Sequence, residues 1–153
     1  MIVSATKSSG SPLDPLELGA WRGFLRTHAR VTRALDAQLI AEQGISLSSY
    51  EVLLFLADAS GGRMRMSELA DGVLLSRSGL TRLIDRLEAD GLVRREECDT
   101  DARGLDAVIT PQGRRRFARA RRTHLSGVRQ SFLEQLSDAE QRELAELWER
   151  LAA

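Results

Sequence analysis

Apolar residues recur at three- and four-residue steps along most of the chain. From Leu16 to Glu42 the residues Trp21, Phe24, Leu25, His28, Val31, Leu35 and Leu39 share one face, which predicts a long amphipathic helix stopped at Gly44. Ser48 to Glu51 has the spacing of a capping box, with a Ser oxygen accepting a helix-start amide and Glu51 reaching back. The helix it opens, YEVLLFLADAS, is apolar on nearly every side, so it should be central, and Gly61-Gly62 should end it. Ser67 is placed to cap a short helix, SELADG, and Ser76 the next, running to about Asp90 before Gly91. The period then changes. Leu92 to Cys98 and Leu105 to Ile109 read as strands joined by DTDARG, with Gly104 free to take positive φ. Thr110-Pro111 is a helix start, Thr at the cap and Pro at the first helical position, and the pattern continues to about Gln135. Ser137 to Glu140 repeats the capping-box spacing ahead of a terminal helix. Residues 1–15, punctuated by Ser, Gly and Pro, are expected to be a disordered tail.

The order is helix, helix, short helix, helix, hairpin, helix, helix. Two closely spaced helices followed by a hairpin make a winged helix-turn-helix. The expected fold class is mainly α with a small β-hairpin wing (α+β), as a single domain over residues 16–153. Within it, 46–110 would be the winged-helix DNA-binding part, and 16–45 with 111–153 a helical dimerisation part. Leu144, Leu147, Trp148 and Leu151 stand at i, i+3, i+4 and i+7 on the last helix, and Val128, Phe132 and Leu136 follow four-residue steps just before it. A compact winged domain has little room to cover this surface, so a second copy is expected to do so. The alternative is that these helices fold back on their own domain.

On the helix after Ser76, Leu80, Leu83, Ile84 and Leu87 fall on one side. Ser78, Arg82, Asp85 and Ala89 lie opposite, with Thr81 and Arg86 on the shoulders. Such residues donate to phosphates or read base edges in a major groove, and the helix start at 77 and 78 offers amides to phosphate. Alone, this is also the outer face of any solvated helix, on which Asp85 and Glu88 could form surface ion pairs. The short helix before it and the hairpin after it favour a recognition helix with its wing.

Overall charge adds nothing, because 22 basic residues balance 22 acidic ones. Locally it does: Arg63 to Arg122 holds 14 arginines against 10 acids. Arg114, Arg115 and Arg116, with Arg119 and Arg122, read as spread around their helix in a solvated face. Two histidines, one cysteine, no phosphate-binding glycine loop and no metal-spaced cluster leave little for a catalytic site, so neither an enzyme nor a metal or cofactor is expected. The start lacks the apolar core of a signal peptide, and no apolar run approaches a membrane span, so a cytoplasmic protein is expected. Cys98, at a strand end, reads as inert; a redox-responsive regulator using it is an alternative. A winged-helix adaptor that binds protein rather than DNA is another.

The run RMSELADGVLLSRSGLTRLIDRLEADGLVRREECDTDARGLDAVITPQG resembles the core of a MarR-type transcriptional regulator. WRGFLRTHARVTRALDAQL resembles that family's first helix, and HLSGVRQSFLEQLSDAEQRELAELWERL its last two. The resemblance implies a homodimer bound to a pseudo-palindromic double-stranded operator and released by a small aromatic or phenolic effector. It implies DNA contacts from Ser76, Arg77, Ser78, Thr81 and Arg82, to which the helix face adds Arg86. Arg103 matches the wing-tip arginine of the minor groove and Asp101 the acid that orients it. The chain departs from the pattern at Ala102, where many relatives carry a first arginine, which removes one cation from the wing contact. Phe132, Leu136, Leu144, Leu147, Trp148 and Leu151 would form the dimer interface. An effector pocket would draw on Trp21, Arg22 and His28 beside the first helix's apolar face, Tyr50 opposite, and Arg121 between Phe117 and Leu125. The plainer readings are a core histidine at 28 and an arginine at 121 that snorkels to water.

Overall fold

The computed structural model describes residues 10–73, 75–98 and 101–152; at 98 and 101–103 it describes the backbone alone. Among the described residues six α-helices and three strands follow one another: α1 (Pro15–Gln43), α2 (Leu47–Asp58), β1 (Arg63–Arg65), α3 (Met66–Gly72), α4 (Arg77–Ala89), β2 (Val93–Cys98), β3 (Asp101–Ile109), α5 (Pro111–Ser131) and α6 (Asp138–Ala152). The fold is mainly α with a small antiparallel sheet of order β1-β3-β2. The expected hairpin is present, but it has a third strand. β1 pairs through Arg63–Val108 to Arg65–Asp106 and leads straight into α3.

Helix ends follow local chemistry, not always at the expected residue. α1 starts at a capping box between Asp14 and Glu17, with Glu17 N donating to Asp14 Oδ1 at 2.9 Å and Asp14 N to Glu17 Oε2 at 2.8 Å. It ends at Gly44 as expected. α2 is capped by Ser46, not by the 48–51 box: Ser46 Oγ accepts from Ser49 N at 3.1 Å, and Asp36 takes the Leu47 amide at 2.8 Å. α2 stops at Asp58, and Gly61-Gly62 belong to the turn beyond it. Ser67 is no cap; it sits inside α3, whose N-cap is Arg65. Ser76 and Thr110 cap α4 and α5, and Ser137 with Glu140 forms the box ahead of α6. α5 stops at Ser131, short of Gln135, so Phe132 lies at its end and Leu136 beyond a single 3-10 turn. Gly104 is extended backbone within β3 and takes no positive φ.

The core gathers under α2, as its all-round apolarity requires. Val52, Leu53 and Leu56 are fully buried against Leu39 of α1, Leu69 of α3, Leu80 and Ile84 of α4, Val93 of β2, Ala107 of β3 and Ala120 of α5. α1 is tied to α5 at its carboxyl end. Gln43 Nε2 donates to Thr123 Oγ1 at 3.0 Å, Thr123 Oγ1 donates to Glu42 Oε2 at 3.0 Å, and the Arg116 guanidinium donates to the Gln43 carbonyl. The amino-terminal half of α1 and all of α6 stand outside this core. No residue of α6 is buried, and Leu16, Trp21, Phe24, Trp148 and Leu151 are exposed.

Candidate nucleic-acid interface

α4 is anchored by its apolar stripe. Leu80, Leu83, Ile84 and Leu87 are all buried, and that register forces Arg77, Ser78, Thr81, Arg82, Asp85 and Arg86 to the surface. The hydroxyls at the amino end are already ordered. Ser76 Oγ accepts from Gly79 N at 3.1 Å and lies 3.3 Å from Ser78 Oγ, while Thr81 Oγ1 donates to the Arg77 carbonyl at 2.9 Å. Arg77, Arg82 and Arg86 make no ion pair among the described residues, so their guanidinium groups are open to an anionic partner. A cleft of about 400 Å³ opens beside this face, lined by Met66 and Ser67 of α3 and by Arg77, Leu80 and Thr81 of α4.

The two acids on this helix are bound from the wing. Arg95 of β2 reaches Asp85 Oδ1 and Glu88 Oε2, each at 2.5 Å, and also donates to the Thr81 carbonyl at 3.3 Å. Its backbone amide donates to Glu88 Oε1 at 2.9 Å. Burial acts to lower the Arg95 pKa, but the hydrogen bonds to Asp85 and Glu88 outweigh it and raise the value above the ordinary one. One side chain therefore fixes strand to helix and offsets one of the two negative charges on the exposed face. Sequence reasoning missed Arg95. Its only signal was a basic residue on the strand that leaves the helix, lost among the charges of VRREE.

The base of the wing is closed by a second pair. Arg63 of β1 donates through Nε to Asp106 Oδ2 on β3 at 3.0 Å, and Asp106 is buried. Glu96 of β2 lies 3.5 Å from the same guanidinium. β2 and β3 pair from Val93–Ile109 to Cys98–Asp101, with an irregularity at Glu97/Cys98. Asp101 and Arg103, expected at the wing tip, lie on the backbone of β3, but their side chains and that of Cys98 fall outside the described residues.

The five residues expected to line one effector pocket are divided between two places. On α1, Trp21 stacks near Phe24 (6.0 Å between centroids), Phe24 near His28 (6.2 Å), and Phe24 meets Trp148 of α6 at 5.9 Å. An apolar groove of about 500 Å³ runs here, lined among others by Phe24, His28, Phe132, Leu144, Leu147 and Trp148. His28 is exposed on the groove wall, not a core histidine, and Arg22 is exposed nearby on the same helix. Tyr50 lies elsewhere, buried between α2 and α5, 4.4 Å from the His124 ring and 5.7 Å from Phe117. Burial raises the Tyr50 pKa, and the positive charge of Arg121 opposes that shift. Arg121 itself is exposed.

The chain and its fold are similar to proteins of known kind. The model of the MarR family matches residues 43–104. The HTH-type transcriptional repressor YetL of Bacillus subtilis is 30% identical over 116 residues, 73% of this chain and 69% of its own. AbsC of Streptomyces coelicolor, a MarR family transcriptional regulator, superposes with a TM-score of 0.84 at 35% identity, over 93% of this chain and 95% of that one. Sco3205 of the same organism, solved in complex with DNA, superposes with a TM-score of 0.84 at 34% identity over 92% and 91%. The chain belongs to the MarR family of transcriptional regulators.

Proposed function

We propose that the protein is a sequence-specific repressor that binds a pseudo-palindromic duplex operator as a homodimer and leaves it when a small aromatic or phenolic effector binds. The observation that carries the DNA reading is the outer face of α4. Its arginines are uncommitted while both acids beside them are bound by Arg95. In this reading α4 enters the major groove. Ser76, Arg77, Ser78 and Thr81 meet backbone and bases near its amino end, Arg82 and Arg86 lie further along, and Arg103, oriented by Asp101, contacts the minor groove.

Residues 46–110 carry the reading head, and 16–45 with 111–153 carry the contact between copies. The apolar face of Phe132, Leu136, Leu144, Leu147, Trp148 and Leu151, exposed or half-buried throughout, supports the second part. A two-fold dimer would set the two recognition helices about 34 Å apart. The groove between α1 and α6, about 500 Å³, is in the range of small-molecule sites. An effector seated there, against His28 and Trp148, would sit where the two copies meet.

The test is binding of the purified protein to the DNA upstream of its own gene, at two salt concentrations with genomic competitor. Specific binding that weakens steeply with salt, and that Arg82→Ala weakens by about 1–3 kcal/mol, supports the reading. Absence of binding to any duplex at low salt would overturn it in favour of a protein-binding adaptor.

A further inference from the structure

α5 carries seven arginines and not one acid. Arg115, Arg119, Arg122 and Arg129 follow one another at four-, three- and seven-residue steps, with Ser126 between the last two, so the helical period lines them up on one face. All four are exposed, and the opposite face buries Gly113, Phe117, Ala120, Thr123 and Gly127. Four of the seven arginines thus share one face, while Arg114, Arg116 and Arg121 are spread around the rest of the helix, as the sequence suggested. Arg116 is turned away to the Gln43 carbonyl, Arg114 lies over Gly62, and Arg121, also exposed, lies off the line, which leaves a stripe of four.

A solvated helix face ordinarily mixes signs, because unlike charges three or four residues apart support the helix and like charges weaken it. α6 obeys this, with Arg142 and Arg150 set among Glu143, Glu146 and Glu149. α5 does not: Arg115 faces Arg119, Arg119 faces Arg122, and none of its arginines is in an ion pair among the described residues. A helix that carries this repulsion unrelieved is arranged to receive an anion from outside.

We propose that the stripe Arg115–Arg119–Arg122–Arg129 is a phosphate-binding face for the backbone of duplex DNA, separate from the groove contacts of α4. The proposal rests on the DNA-binding reading above. Guanidinium forks match phosphate oxygens in pairs. The stripe extends about 21 Å along the helix, and a DNA strand presents one phosphate about every 3.4 Å of axis, so several lie within its span. Its positions hold only Arg and Ser. Exposed Leu125 lies only at its edge, and the stripe has no ring on which a single-stranded base could stack.

The experiment compares the full-length protein with its R115Q/R119Q/R122Q/R129Q variant on a long random-sequence duplex across a salt series. Glutamine keeps helix propensity close to that of arginine, and circular dichroism and sedimentation check fold and assembly. The expected result is a slope of log affinity against log salt shallower by about 0.9 for each phosphate that the variant no longer neutralises, with affinity at low salt down at least about tenfold. Equal slopes and affinities would overturn the proposal and leave the DNA reading standing. A variant that falls apart into monomers with an unchanged slope would also overturn it, and assign the stripe to the contact between copies. A wild-type protein that binds no duplex would overturn both.

Discussion

Arg95 on the first strand of the wing hairpin holds Asp85 on α4 at 2.5 Å, and through its other nitrogen Glu88 at the same distance. Replacing it frees two acids on the face proposed to meet DNA and unfastens strand from helix. Arg95→Gln should lower operator affinity about tenfold or more, which is about 1.4 kcal/mol, and cost about 1 kcal/mol in stability. Adding Asp85→Asn and Glu88→Gln should recover part of the affinity by removing the repulsion, but not the part owed to positioning. Titration of all three proteins against one operator checks this. Unchanged affinity in the single variant would refute the clamp's role.

Gly113 lies where α5 crosses the start of β2. A Cβ there would overlap the Leu92 carbonyl oxygen and press on Ile109. Backbone cannot retreat as a flexible side chain can, so Gly113→Ala should cost more than about 2 kcal/mol in chemical denaturation. A loss below about 0.5 kcal/mol would show that the two segments can separate at little cost.

His124 should make the fold sensitive to acid. Its ring stacks on Tyr50, its Nδ1 is buried without a hydrogen-bond partner among the described residues, and burial lowers its pKa below 6.5. The unfolded chain then binds a proton at pH values where the folded one still refuses it. The stabilisation is complete above about pH 6.5 and is lost as pH falls through the depressed folded value. Melting temperature should drop between about pH 7.5 and pH 5.5, and His124→Phe should flatten that drop while keeping the stack. Equal drops in both proteins would place the acid sensitivity elsewhere.

The face of α6 offers a plain test of assembly. Leu147→Asp puts a charge into the groove that Leu144, Phe132 and Trp148 line. Sedimentation should show a monomer with unchanged helical content, and operator binding should fall because a monomer reaches only one half-site. A dimer that persists would remove α6 from the interface.

Residues that act with near neighbours in the sequence were legible. The stripe Leu80, Leu83, Ile84, Leu87 set the rotation of α4, and Ser76, Thr110 and Ser137 capped the helices they precede. What escaped depended on partners far along the chain. Three serines could have opened α2, and Asp36, eleven residues before Leu47, takes the first amide of the helix that Ser46 caps. β1 is three residues of RMR with no alternation to announce it, and it exists only because β3 offers an edge. The effector residues looked like one set because each was a polar group on an apolar face. That pattern cannot say which helices face each other, and Tyr50 went to α5 while His28 went to α6.

The junction at Thr110 has a mechanical consequence. Its hydroxyl donates to the Gly91 carbonyl at 2.7 Å and accepts from Gly113 N at 2.9 Å, and Gln112 Nε2 donates to the Asp90 carbonyl at 3.2 Å. The carboxyl end of α4 is thus pinned to the first turn of α5, whereas its amino end is capped by its own Ser76. Any tilt of α4 imposed through α5 would turn about the junction at Thr110. The helix is about 20 Å long, so a tilt of about 5° imposed by α5 would carry Arg77 through about 1.7 Å. That is enough to take a guanidinium out of hydrogen-bond range of a phosphate.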